Sequence, residues 1–459
     1  MEELLDKIRT GRARVGVMGL GYVGSPLALA FARRFTVVGY DSSEAVIRTL
    51  LGGRSHLRDI TDKEVMSCVH RSFFPTTDPS ELAACDFIII CVPTPLLNGR
   101  EPDLSCIKTC AATIATWLRE GQFVILESTT YPGTTEEVVV PLLERCGLRA
   151  GIDFGVAYSQ ERIDPGSQDY RVHNVPKVVG GLTRQCTDTA ASLYLSVINT
   201  VIKVRDCRTA EACKILENVF RSANIALVNE MALIFERMNI DTWEVIDAAA
   251  TKPFGFMPFY PGPGVGGHCI PLDPYYMAYK ARQHDMILRF IELSGEINDL
   301  MRTHVVNLAE RGLALAGTKM AGSCLAVLGL SYKKGVDDTR ESPATKIIEE
   351  ILDRRGHVKV YDPYAAAIET RLGRFTREES LEAALEDVDG ALFLVDHDRF
   401  RGLSAEYLRS LMAHPVIIDC RNLFDAGEME GLIYLAIGKP AASPQPLPLA
   451  AALQAERVG

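Results

Sequence analysis

From Arg14 onward the chain alternates short apolar runs with longer helix-like stretches, and this alternation constrains the fold more than any other feature. Strand and helix in regular succession build a parallel sheet covered on both faces, because each parallel neighbour needs a crossover connection. VGVMGLG reads as a first strand, and further strands are expected at 36–40, 87–92, 123–127, 154–158 and 178–180. After 201–204 the period changes. Leu216, Phe220, Ala223, Leu227, Met231, Ile234 and Met238 recur every three or four residues, the spacing of a long amphipathic helix. A second helix is expected from near Met286, carrying Leu288, Ile291, Ile297, Met301, Val305 and Leu308 to a stop at Gly317. Two such helices predict a connecting layer and an apolar surface for a second copy. The α/β rhythm then returns with CLAVLGL, a helix over 343–354, VKVYD, and strands at 391–395 and 416–419. The expected plan is α/β, with two Rossmann-like doubly wound domains (1–205 and 318–437) joined by a central helical domain (206–317). The Pro- and Ala-rich stretch 438–459 reads as a loosely held tail.

Size and composition agree. At ~150 residues per domain, 459 residues give three modules. Forty-nine Lys and Arg against 59 Asp and Glu leave a net charge of −10, which argues against nucleic acid or an anionic membrane as partner. A phosphate site must then be local. Twelve cysteines are scattered behind an opening, MEELLDKIRT, that lacks a basic-then-apolar leader, so a reducing, cytoplasmic setting is expected. The charge-free stretches 15–32 and 253–272 are broken by glycine and proline, and no membrane span is expected.

Five segments carry chemistry. Gly19, Gly21 and Gly24 form G-x-G-x-x-G between the first strand and a helix, where they permit a tight turn, approach of a pyrophosphate, and close helix packing. Asp41, ending the second strand, suits a ribose 2′-hydroxyl and would repel a 2′-phosphate, so NAD is expected rather than NADP. A merely structural glycine turn would not need that acid. Cys269 lies in FMPFYPGPGVGGHCIPLDPYY (256–276), too rich in glycine and proline for regular structure, with Asp273 four residues on. The plainer account is one more apolar thiol. His268 gives no metal signal, since the chain has no C-x-x-C pair, and Cys106 and Cys110 read as packing residues; no metal is expected.

Lys214 and Asn218, in EACKILENVF, are one turn apart on a helix face away from Leu216 and Phe220. Together they could hold an oxyanion, although spacing alone favours ordinary exposed side chains. Thr129 in ESTTYPG and Glu161 in YSQERIDPG follow strand ends, where open α/β sheets bind ligands; loop capping is the equal alternative. Lys333, Lys334 and Arg340 in GLSYKKGVDDTRESPA, with Arg421 after VIIDC, place positive charge at strand ends, suiting a diphosphate. Interleaved Asp337, Asp338 and Glu341 fit a solvated loop instead.

Taken together, GLGYVG, STTYPGTTEE, the helix with Lys214 and Asn218, GPGVGGHCIPLDP and KKGVDDTRESPA resemble the UDP-glucose/GDP-mannose dehydrogenase family, the nucleotide-sugar 6-dehydrogenases, from about Arg14 to Ile437. The resemblance implies a first domain for NAD, a last domain for the nucleotide diphosphate and a dimerising central helix. It implies Cys269 as nucleophile with Lys214, Asn218 and Asp273 in attendance, and Thr129 and Glu161 near the catalytic water. For NAD it implies Gly19, Leu20, Gly21, Tyr22, Val23, Gly24, Asp41, Thr94, Ser128 and Thr129, with Arg340 reaching across. For the UDP-sugar it implies Glu161, Lys214, Asn218, Phe259, Tyr260, Gly266, Gly267, Lys333 and Arg421. Many UDP-glucose enzymes of the family carry a second Glu four residues after the first, where this chain has Pro165, and related sequences often carry Pro in place of Gln160. ESTTYPGTTEE, ERIDPG, NVPKVVGG and PFGFMPFYPGPGVGGHCIPLDP look closer to the branch oxidising UDP-N-acetylglucosamine or a related UDP-HexNAc, with UDP-glucose and UDP-N-acetylmannosamine as alternative substrates.

Such an enzyme removes two hydrides from a C6 alcohol, holding the aldehyde on Cys269 as thiohemiacetal and then thioester. A two-electron hydroxyacid dehydrogenase has no use for the cysteine loop. A non-catalytic sensor need not keep Cys269, Lys214, Asn218 and Asp273 together.

Overall fold

The computed structural model describes residues 1–97, 101–162, 172–267 and 270–440. Cys269, His268, Pro165 and the expected tail beyond residue 440 lie outside them. The chain divides into two compact units, Met1–Val219 with Leu272–Leu288, and Phe220–Pro271 with Arg289 onward.

The first unit is built on an eight-stranded sheet. Across it lie Val201–Lys203, Lys177–Gly181, Gly155–Ser159, Phe123–Leu126, Phe87–Ile90, Arg14–Met18, Thr36–Tyr40 and Phe73–Thr76. The central strands are parallel and almost wholly apolar, as burial on both faces requires. The sheet departs from the all-parallel expectation in one place, where Gly155–Ser159 and Lys177–Gly181 run antiparallel. Antiparallel neighbours need no crossover helix. Phe73–Thr76 was not expected, because Pro75 cannot donate to a ladder; its place at the sheet edge tolerates that proline.

The second unit carries a five-stranded parallel sheet in the order His357–Tyr361, Cys324–Leu328, Gly390–Phe393, Val416–Asp419, Ile433–Ala436. Its first turn repeats that of the first unit. Gly19 N–H donates to Tyr40 O at 2.8 Å and Leu20 N–H to Asp41 at 2.8 Å; Gly329 N–H donates to Tyr361 O at 2.9 Å and Leu330 N–H to Asp362 at 2.7 Å. Gly19 and Gly329 have φ of 93° and 96°, conformations that disfavour any side chain. In the second copy the aspartate is sealed in. Burial would raise the Asp362 pKa, but the His397 hydrogen bond and backbone N–H donors hold it at about 2.

Two long helices complete the chain, Cys207–Arg237 and Arg289–Leu315. Gly317, at φ 79°, follows the second as a left-handed stop. Among the described residues no helix is long and apolar enough to cross a membrane.

Candidate active site

The glycine turn of the first unit leaves space where a dinucleotide needs it. A Cβ on Gly19 would lie 2.6 Å from Cys91 O, and one on Gly24 only 1.8 Å from Gly19 O, so strand, turn and helix Gly24–Ala32 pack through absent side chains. A Cβ on Gly21 would meet nothing within 4 Å. Its bareness is therefore not explained by the protein's own packing, and it leaves the backbone of the turn open to close approach. Leu20 is buried, while Tyr22 and Val23 pack on the core. Both Asp41 oxygens accept backbone N–H groups, from Leu20 and Ser43, which fixes the carboxylate beside the turn. His56, which the sequence did not single out, places Nε2 2.8 Å from Leu20 O.

Beyond the strand Phe123–Leu126, the loop 127–135 is pinned residue by residue. Glu127 is buried, ion-paired with Lys177 and accepting the Tyr194 hydroxyl at 2.6 Å; the Lys177 ammonium also lies 4.8 Å from the Tyr194 ring centroid. Ser128 Oγ donates to Val92 O at 2.7 Å, and Thr94 Oγ1 donates to Thr129 O at 2.8 Å. Thr94 O in turn accepts the Tyr276 hydroxyl. Thr94, Ser128 and Thr129 are thus brought together at the carboxyl end of the sheet, the place where such sheets bind ligands.

Lys214 and Asn218 correct the plainer expectation of exposed side chains. They are 6% and 1% exposed, whereas Leu216 and Phe220 are 68% and 47% exposed. The helix presents its polar face to the first unit's interior and its apolar stripe outward. Lys214 Nζ donates to Glu161 O at 2.6 Å, and Asn218 Nδ2 donates to the Asp273 carboxylate at the start of helix Asp273–Arg282. Gln160, wholly buried, donates to Glu217 at 3.0 Å. Lys214 with Glu161 and Asn218 with Asp273 thus form two hydrogen-bonded pairs one turn apart on the helix, and the buried ammonium and amide can face developing negative charge.

The sequence reading missed Glu127 and Lys177, a buried ion pair at the start of this loop, and Tyr276, whose hydroxyl holds Thr94 O. Breaking a buried pair leaves an uncompensated charge, so Lys177→Met is expected to cost about 3–5 kcal/mol. The double variant with Glu127→Leu should recover most of that in urea unfolding. A single variant as stable as the parent would refute this view of the pair.

In the second unit, Lys333 and Arg421 line one cleft with Gly264, Tyr332 and Ser342. Here the glycines of the loop are forced by contact. A Cβ on Gly262 would come within 2.7 Å of Arg421, and Cβ atoms on Gly266 and Gly267 would each come within 2.9 Å of Tyr332. Phe259 and Tyr260 are not among the side chains lining this cleft. Phe259 packs edge-on to Phe220, and Tyr260 stacks on Trp243 and donates to Asp247 at 2.6 Å. Arg340 bonds Asp338 through two nitrogens, at 2.9 and 2.8 Å. A larger cavity of about 300 Å³, bordered by Glu236, Arg237, His304 and Arg311, offers cations but no nucleophile. The eleven described cysteines are free, and none is exposed.

Known proteins resemble this chain along most of its length. Models of the UDP-glucose/GDP-mannose dehydrogenase family match in three stretches, the NAD binding domain over residues 13–198, the central domain over 208–300 and the UDP binding domain over 326–426. A UDP-N-acetyl-D-glucosamine 6-dehydrogenase from Pseudomonas aeruginosa is 37% identical across 90% of this chain and 97% of its own. A UDP-N-acetyl-D-mannosamine dehydrogenase from Pyrococcus horikoshii is 36% identical across 93% and 99%. A solved structure of a UDP-D-ManNAc dehydrogenase from Pyrococcus horikoshii superposes with a TM-score of 0.86, covering 94% of this chain and all of that one. With the glycine turn, the strand-end cluster and these matches in hand, the chain belongs to the UDP-glucose/GDP-mannose dehydrogenase family and is an NAD-dependent nucleotide-sugar dehydrogenase.

Proposed function

We propose that this chain oxidises the C6 hydroxymethyl group of UDP-N-acetylglucosamine to a carboxylate, a four-electron reaction through a covalent intermediate on Cys269. The observation that carries the reading is the burial of Lys214, Asn218 and Asp273 with their bonds fixed, Lys214 to Glu161 O and Asn218 to Asp273. When bound, NAD accepts a hydride in each of the two oxidations. The glycine turn with Leu20, Tyr22, Val23 and Asp41 holds it, with Thr94, Ser128 and Thr129 at the reacting end and Arg340 as a further contact. The first oxidation converts alcohol to aldehyde, releasing a hydride and a proton. The Cys269 thiolate adds to the aldehyde carbon to give a thiohemiacetal, whose loss of a second hydride and a proton leaves a thioester. Water then cleaves the C–S bond, giving the carboxylate and returning the thiol. Lys214 and Asn218 stabilise the oxyanions, while Asp273, or water held by Glu161 and Thr129, serves as base. Pro165 leaves no second glutamate for that role.

Lys333 and Arg421, with Gly266 and Gly267, bind the diphosphate side of the substrate, and Phe259 and Tyr260 belong to the same proposed surface. The parts act as a cofactor domain (1–205), a helical connector with the cysteine loop (206–317) and a UDP-sugar domain (318–437). A homodimer is part of the reading, because Leu227, Ile234 and Met238 on one long helix and Leu293 and Leu300 on the other are exposed large apolar side chains. So is a cytoplasmic setting, where a free thiol, NAD and nucleotide sugars coexist.

Following NADH absorbance with UDP-N-acetylglucosamine, UDP-N-acetylmannosamine, UDP-glucose and UDP-galactose-type substrates tests the reading. Two NADH per sugar and the highest kcat/KM for UDP-N-acetylglucosamine are expected. One NADH with released aldehyde would overturn the mechanism, and a higher kcat/KM for another sugar would reassign the substrate.

A further inference from the structure

The mechanism above makes no use of Glu211, a carboxylate with no exposed surface on the same helix face as Lys214 and Asn218, one and two turns before them. One of its oxygens accepts Gly133 N–H at 2.5 Å, and the other accepts Thr135 N–H at 2.8 Å and Thr135 Oγ1 at 2.7 Å. These donors belong to the loop that carries Ser128 and Thr129. Thr135 opens a wide helical turn, Thr135–Val139, whose first N–H groups need an acceptor from outside it. Glu211 supplies that acceptor across 76 residues of sequence. Gly133 turns the same loop through a left-handed φ of 103°, and a hydroxyl pair between Thr130 and Thr134 at 2.6 Å closes the turn between.

We propose that Glu211 is a positioning residue for the reaction: its carboxylate locks the Thr129 loop to the helix that presents Lys214 and Asn218, so the two sides of the site are held in one geometry.

The ionised form makes the stronger lock. Its two oxygens accept all three donors at full strength; a protonated carboxyl must turn its proton onto Thr135 Oγ1 and accept Thr135 N–H on a weaker hydroxyl oxygen, and a glutamine amide turns a donor toward a backbone N–H. None of the three bonds comes from a cation. Burial pushes the Glu211 pKa up to about 7, against the lowering effect of the Thr135 and Gly133 hydrogen bonds and with a further rise from Glu136. Other groups facing it are Cys207 and Arg208 on its own helix, Tyr131 on the loop and Tyr158 on the strand Gly155–Ser159. Burial keeps Cys207, Tyr131 and Tyr158 neutral, and Arg208 is paired with Glu136 at 2.8 Å. Because the folded pKa lies above the usual carboxylate value, this group favours folding most at low pH, and that contribution fades as pH rises through about 7. The lock behaves oppositely, strengthening as pH rises. Stability and turnover should therefore move in opposite directions through the titration of one group, which a purely structural carboxylate would not produce.

The proposal rests on the oxidation assigned above, in which the Thr129 loop faces the reacting end of the cofactor. Its test uses the full chain and the variants Glu211→Gln and Glu211→Asp, with first-turnover NADH formation, KM for the UDP-sugar and Tm measured from pH 5.5 to 8.5. Wild type should speed up with one proton's dependence around pH 7. Glu211→Gln should be roughly hundredfold slower at pH 8 and flat across that range. KM should hold within about twofold, and the variant's Tm relative to wild type should be higher at pH 8 than at pH 6. Glu211→Asp should recover part of the rate and the pH dependence. A wild-type rate in Glu211→Gln, an unchanged pH midpoint, or equal losses of rate and Tm at every pH would overturn the proposal. Hydrogen exchange over residues 130–138 reads the lock without chemistry, and faster exchange confined there in Glu211→Gln is expected. If wild type makes no NADH with any sugar while exchange responds, the functional reading has failed and the lock stands; active enzyme with unaltered exchange removes the lock alone.

Discussion

Cys269→Ala should lower steady-state turnover by roughly 10⁴–10⁶-fold, the range seen when a nucleophile is deleted, while leaving NAD and UDP-sugar binding in place. The expected residue of activity is informative. Nothing in the first oxidation requires the thiol, so a rapid burst of up to one NADH per active site should survive and then stall at the aldehyde. Wild type quenched during turnover should carry the sugar's mass on the peptide containing Cys269, and the alanine variant should not. The other thiols supply an internal control. Burial pushes Cys85 and Cys110 to about 12 and raises Cys91 and Cys420 well above the usual thiol value, so none of these offers a thiolate near neutral pH. Mild alkylation at pH 8 should spare those four, and turnover should fall in step with labelling of Cys269 and not with that of the partly exposed Cys106, Cys146, Cys213 and Cys324. Continued formation of two NADH per sugar by Cys269→Ala would show that the aldehyde is oxidised as its hydrate, with no covalent step.

What could be read from the sequence follows from what each signal measures. The first turn was legible because strand, glycine spacing and Asp41 lie within thirty residues and constrain one another. Helix periodicity was legible too, but it reports that a helix has two faces and not which face is covered. The stripe through Leu216 and Phe220 is exposed, whereas the face of Lys214 and Asn218, whose spacing favoured ordinary exposed side chains, is buried. The polar face goes in because Lys214, Asn218 and Glu211 each find a partner there, Glu161 O, Asp273 and the Thr135 turn. Those partners lie 53 to 76 residues away in sequence, beyond the reach of any local pattern. Glu127 and Lys177 were hidden for the same reason. Each stands at the end or start of an apolar strand, where a charge ordinarily marks the strand's limit, and only the sheet order shows them sealed together. Two edge strands, Phe73–Thr76 and Ile433–Ala436, were missed, the first because Pro75 breaks its pattern.

Lys214→Ala is the second large effect, and its size depends on the burial that the sequence concealed. A solvated lysine would contribute little to an oxyanion, because water already stabilises the charge. Lys214, 6% exposed and held at 2.6 Å from Glu161 O, is fixed before substrate arrives and needs no reorganisation as charge develops. Removing one such donor costs about 10²–10³-fold in kcat, with KM for the UDP-sugar little changed, since the charge appears in the transition state and not in the bound alcohol. Arginine should not rescue it. Its planar fork cannot occupy a site shaped for a compact ammonium donating to one carbonyl. Methionine should retain the fold, filling the volume without the charge, and should match alanine in rate. Steady-state kinetics on the three variants decide the matter. A rise in KM with kcat intact would make Lys214 a binding residue, and the oxyanion would then have to be held by Asn218 with backbone donors.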